Sequence, residues 1–249
     1  MSRQVSWLRS YFLMLQWQAL RLRPVLPLFM LVEAFTGVGT VVGVGYVLPR
    51  IDPTTAMFLS TGGPTLTLIA LGLTIVPQMV ADSKARGAFD YVWSLPVPRM
   101  AFLAADFTIW LLAVLPGVLM ALFVGARRYD FALQISPLAL PAFVLVALMS
   151  TGLGYAVAHA APKPELVTLL TNFIIFALFL FSPINFPVER LPRWLGELHR
   201  FLPVKYAATA VRGTLVQGYS DGLGLSFAAL AVWCVLGLGT TYVLVTRRN

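Results

Sequence analysis

Long apolar runs alternate with short polar connections along the chain. A helical crossing takes about 20 mainly apolar residues to cover roughly 30 Å of hydrocarbon. Six stretches meet that length: Val25–Leu48, Ala56–Ala81, Ala101–Val124, Ser136–His159, Leu166–Phe186 and Leu223–Thr246. Only Ala160-Ala161-Pro162-Lys163-Pro164-Glu165 separates the fourth from the fifth, which predicts an antiparallel hairpin. Residues 1–24 follow a different pattern. Ser2, Arg9, Gln16 and Arg23 recur every seven residues and share a helical face, while Trp7, Tyr11 and Met14 point away from it. An amphipathic helix carrying arginines and aromatics suits the head-group boundary, so an interfacial helix is expected here.

Composition removes the soluble alternatives. Apolar residues make up 59% of the 249 and charged residues 11%, against roughly 25% charged in a soluble domain. The net charge of +8 would suggest nucleic acid in a soluble protein. Here the basic residues lie mostly between the apolar runs, where anionic head groups and orientation rules account for them, and no nucleic-acid partner is expected. With the N-terminus inside, ten basic residues fall on the cytoplasmic side and eight outside, five of the eight in the long fifth connection. Six spans with both termini in the cytoplasm are therefore expected. No cleavable signal peptide is expected, because Gln16 and Gln18 interrupt the first apolar stretch. Cys234 is the only cysteine and reads as a packing residue.

Polar residues inside the runs are the first functional candidates. Glu33 lies in the first run, and a charge there costs about 2.5–3.5 kcal/mol on insertion scales. Thr168, Asn172 and Phe176 on the fifth run are, with Glu33, candidates for lining a translocation path, and helix packing is the competing reading of each. Asp106 is expected to snorkel or to pair with Arg99. Gly39 and Gly43 form a G-x-x-x-G pair suited to close helix packing, and Pro77, Pro116 and Pro141 are candidate kinks. Enzymatic chemistry has little support. His159 and His199 fall on opposite sides of the expected topology, no metal-binding or nucleophile motif occurs, and none of the three lysines stands in a phosphate-binding glycine loop. The chain is expected to be non-catalytic and to hold no metal, with any ATP hydrolysed by another polypeptide.

The connection after the second run carries Lys84-Ala85-Arg86-Gly87-Ala88-Phe89-Asp90-Tyr91, then Ser94-Leu95-Pro96-Val97-Pro98-Arg99. Phe89, Val92 and Trp93 are spaced for one helical face, and the prolines end it. This stretch resembles the cytoplasmic loop of the permease subunits of type-2 ABC exporters, the ABC-2 exporter family. The resemblance implies that residues 82–100 form a coupling helix seated on an ATPase subunit, with Lys84, Arg86, Gly87, Phe89, Asp90, Tyr91, Ser94, Leu95, Pro96 and Arg99 making the contact. Ala85 stands where the family usually has an acidic residue. A second segment, Ser182-Pro183-Ile184-Asn185-Phe186-Pro187 through Leu191-Pro192-Arg193-Trp194-Leu195 to Pro203, Tyr206 and Arg212-Gly213, is similar to the family's signature between its last two spans. It implies short re-entrant helices on the outer side over residues 187–222, with Pro183, Phe186, Pro187, Pro192, Trp194, Pro203, Tyr206 and Arg212 as the marking residues.

Taken over the whole chain, the resemblance implies an all-α integral membrane protein, with residues 1–249 as one transmembrane domain in the cell membrane. It further implies a second permease chain, identical or related, and two ABC ATPase subunits that hold the ATP and Mg. The apolar, aromatic spans point to efflux of a hydrophobic or amphiphilic molecule such as a drug, an antibiotic or a lipid. Two alternatives stay open: export of a polysaccharide or glycolipid by the same mechanism, and secondary transport, which Glu33 supports although no internal repeat is visible.

Overall fold

The computed structural model describes residues 6–48, 50–88, 94, 96–219 and 222–246, the last three as backbone alone. Phe89, Asp90, Tyr91, Val92, Trp93 and Leu95 of the expected coupling helix lie outside the described residues. Among the described residues every regular element is helical: α1 (Trp7–Leu22), α2 (Leu26–Val47), α3 (Pro53–Ala70), a π-helical turn (Leu71–Ile75), α4 (Val76–Ala85), α5 (Arg99–Arg128), α6 (Ala139–Ala160), α7 (Pro164–Phe181), the 3-10 turn Val188–Arg190, α8 (Arg193–Phe201), α9 (Pro203–Leu215) and α10 (Leu223–Thr246). Six of these helices are long and apolar enough to cross a membrane, with α3, the π turn and α4 counting as one continuous helix of 33 residues.

Local chemistry places the helix ends, and it moves several of them from their expected positions. The second span starts at Pro53, three residues early, because the Asp52 carboxylate caps it by accepting from the Thr55 amide at 3.1 Å. The Thr55 hydroxyl, together with that amide, holds the Asp52 carboxyl below its ordinary pKa. The fifth span ends at Phe181 and not at Phe186. Pro183 pushes Ser182 into extended backbone, and the chain leaves the helix there. The π turn lies just ahead of Pro77, which supplies no N–H to the carbonyl four residues back, so the helix widens at that point.

The second span forms the centre of the bundle. α5 packs on α3 and α2, α6 packs on the π turn and α4, and α10 covers the far side of α6. α7 rests against α4, the π turn and α6. Close helix approach is built from small residues, as expected where lipid tails compete equally for apolar side chains. A side-chain carbon added at Gly117 on α5 would lie 2.8–2.9 Å from the Glu33 backbone and Cβ on α2, and one at Gly37 would meet Thr67 and Ala121 at 2.8 and 2.9 Å. The G-x-x-x-G pair is not the contact: Gly39 and Gly43 face open space within this chain.

α1 lies along α5, and its covered row differs from the expected one. Ser10, Met14, Gln18 and Leu22, spaced by four, are buried, whereas Trp7 is exposed with Leu8, Phe12, Leu13 and Leu20. Tyr11 meets Thr108 of α5 through their hydroxyls, 3.0 Å apart. The protein-facing row thus mixes polar Ser10 and Gln18 with apolar Met14 and Leu22, while several large apolar side chains face away from the protein.

Candidate functional site

Two ends of the second span, and one face of the fifth, gather the residues singled out above. At the α4 end, the helix stops where Gly87 adopts φ +70°, a left-handed conformation open to glycine, and its amide returns to the Lys84 carbonyl at 3.2 Å. Arg86 is exposed and lies 3.9 Å from Asp82, a surface pair of little energetic weight. Ser94 and Pro96 are exposed, and Arg99, half-buried, begins α5. Lys84 turns the other way. Its Nζ donates to the Ala158 carbonyl at 3.5 Å, and together with Lys163 it lines an open pocket of about 330 Å³ between α4 and the α6–α7 hairpin.

Beside this end is a polar cluster, buried except for Arg21, whose pairing is not legible in the sequence. The Tyr155 hydroxyl of α6 donates to Asp106 of α5, and Arg21 of α1 donates to Ser83 of α4 at 3.3 Å. With Gln18 they border a small cavity of about 30 Å³. Asp106 is thus covered by protein and held by Tyr155; it does not snorkel. Asp106 was visible in the sequence as a polar break in an apolar run, but nothing there linked it to Tyr155, 49 residues away.

The four path candidates do not come together. Glu33 is 2% exposed, sits in the α2–α5 contact, and its Oε2 has no partner among the described residues. Thr168, Asn172 and Phe176 form a line along α7, one turn apart, and all three are exposed. The opposite face of α7 carries the packing: Val167, Thr171 and Leu178 are buried, and Gln78 of α4 donates to Thr171 Oγ1 at 2.9 Å.

The opposite end of the second span is fastened by Arg212. This residue, 2% exposed on α9, donates from Nε to Thr61 Oγ1 at 3.1 Å and from Nη2 to the Ile184 carbonyl at 2.8 Å, and its guanidinium lies 3.7 Å from the centre of the Phe58 ring. One side chain therefore joins α9, α3 and the loop after α7. Pro183 and Pro203 are buried, Phe186 and Pro187 are half-buried, and Pro192 and Trp194 are exposed. Tyr206 donates to the Arg200 carbonyl at 2.5 Å. α8 and α9 have 9 and 13 residues, which at 1.5 Å per residue is well short of a membrane crossing. α8 buries Leu195 and His199 and exposes Trp194, Leu198 and Phe201.

A family model described as ABC-2 type transporter matches residues 7–216, from the start of α1 to just past α9. No curated protein matches the chain.

Proposed function

The chain belongs to the ABC-2 type transporter family, and from that premise we propose that it exports a hydrophobic or amphiphilic molecule, driven through the loop after its second span. As a member it is a multi-pass membrane permease, the membrane subunit of an ABC transporter, and in this family ATP is hydrolysed on a separate subunit. Two permease chains, identical or related, form the path in this proposal, and two ATPase subunits carry the ATP and Mg.

The substrate class rests on one observation, the exposed face of α7. It offers Leu169, Phe173, Phe176 and Leu180 with Thr168 and Asn172 among them. A surface of that kind matches a molecule with a large apolar body and a few hydrogen-bonding groups, and a long polar sugar chain would find few partners on it. Glu33 is covered by α2 and α5 and reaches this face only if the helices rearrange.

Coupling follows from the continuity of the second span. The helix from Pro53 to Ala85 is the most protein-covered of the six, so a push on its Lys84–Arg99 end moves the centre of the bundle. α8, with its exposed Trp194, Leu198 and Phe201, is proposed to dip into the outer leaflet, and α1 to lie at the inner one.

The test is reconstitution of the permease with its ATPase in liposomes, followed by substrate-stimulated ATP hydrolysis across candidate amphiphiles and oligosaccharides. Stimulation by amphiphiles, reduced several-fold by Asn172→Leu, is the expected result. Stimulation by oligosaccharides alone overturns the substrate class. Arg86→Glu is expected to insert normally and to co-purify poorly with the ATPase; wild-type assembly and transport in that variant reject the coupling assignment.

A further inference from the structure

Resting on the reading of the chain as a bilayer-embedded permease, we propose that the pocket between Lys84 and Lys163 binds the phosphate of an anionic phospholipid, with the acyl chains lying along Leu166 and Leu170 at the pocket end of α7. The pocket has a volume of about 330 Å³ and opens where α4 ends against the α6–α7 hairpin. Its walls are small residues, among them Ala81, Ala158 and Ala161, and the two lysines are the only ionisable groups among the described residues that line it. The Lys84 ammonium is drawn across the gap by its bond to the Ala158 carbonyl, which keeps one cation on the pocket wall. Glu165 follows two residues after Lys163 but is exposed and outside the lining.

The place of the pocket and its surroundings select a lipid over other anions. Only residues 161–163 lie between α6 and α7, so Lys163 cannot rise far from the ends of two membrane-spanning helices. From the pocket, α7 descends with Leu166 and Leu170 exposed. An anionic head group held between the lysines therefore sets its own chains against a ready apolar surface. An acidic segment of a soluble partner would match the charge and leave that surface uncovered. A basic pocket at the ends of transmembrane helices is a recurrent way of holding such head groups, each lysine strengthening binding by roughly fivefold.

The experiment uses the full chain purified in mixed micelles of phosphatidylglycerol and phosphatidylcholine, with retained lipid identified by native mass spectrometry. The wild type is expected to retain phosphatidylglycerol in preference to phosphatidylcholine. Lys163→Gln is expected to reduce that preference by roughly fivefold, and Lys84→Gln with Lys163→Gln by about thirtyfold. Arg193→Gln on α8, at the other end of the bundle, is the charge-matched control and is expected to change nothing. Equal retention of the two lipids by the wild type, or a preference the double variant keeps, overturns the proposal. So does displacement of the lipid by millimolar inorganic phosphate, which marks a simple anion site. Lys163 protected from amine labelling only by the added ATPase, and not by lipid, assigns the pocket to the protein partner and overturns it equally. ATPase co-purification with the wild-type and Lys163→Gln chains tests the permease reading separately: failure of the wild type to assemble sinks that reading, whereas lipid preference lost in the variant with assembly intact concerns the pocket alone.

Discussion

The fifth span is at least as apolar as the second, yet the second is the most covered of the six and the fifth the least. The second span buries Ser60, Thr61, Gly62, Gly63, Thr65 and Thr67 in the middle of the protein. Three of its hydroxyls are absorbed locally: Thr61, Thr65 and Thr67 each donate to the carbonyl four residues back, at 2.8–2.9 Å. The fifth span shows leucine and phenylalanine outward and keeps little more than Val167, Thr171 and Leu178 for the bundle. In lipid there is no gain from hiding a large apolar side chain, and close packing goes to the small residues. Hydropathy therefore finds both spans and says nothing of which is the core.

This contrast can be broken by substitution, with thermal unfolding of the purified chain in one detergent as the common measurement. The largest effect is expected from Arg212→Met at the far end of the second span. It leaves Thr61 and the Ile184 carbonyl without their charged donor, a loss of about 3 kcal/mol or more, and Arg212→Lys is expected to recover little because a single ammonium cannot copy the fork. Gly63→Leu comes next. Even its first carbon would lie 2.5 Å from the Val41 side chain and 2.8 Å from the Gly37 carbonyl, and a cost of about 1–3 kcal/mol is expected from overpacking. The counterpart on the fifth span, Leu169→Ala, is expected to stay within about 0.5 kcal/mol of wild type; a cost as large as that of Gly63→Leu would show that α7 is covered in the assembled state in this detergent.

Gly87→Val is expected to cost about 1–2 kcal/mol, the strain of a branched side chain at φ +70°. Its larger effect is expected in ATPase co-purification, because the turn aims the loop. Asn172→Leu is expected to leave the unfolding temperature within a degree or so of wild type, since an exposed position carries little stability, and to alter substrate stimulation alone. A fall in stability from Asn172→Leu would mean that the residue is packed rather than presented.

Runs of apolar residues, read by length, were enough for six spans, for the α6–α7 hairpin and for membrane residence, because the thickness of the hydrocarbon sets the count directly. The Arg86-Gly87 pair and the proline-rich segment after the fifth span pointed to the family, and the glycine is where a left-handed turn requires it. Tertiary structure alone decided which faces were covered. It set Glu33 against Gly117 and away from the α7 line, turned Gly39 and Gly43 outward while Gly37 made the contact, and joined Asp106 to Tyr155 and Arg212 to Thr61 across long stretches of chain. In water, the division of apolar and polar residues around a helix shows which side is buried; in a bilayer both sides are apolar, and only the fit of backbone to backbone chooses between them.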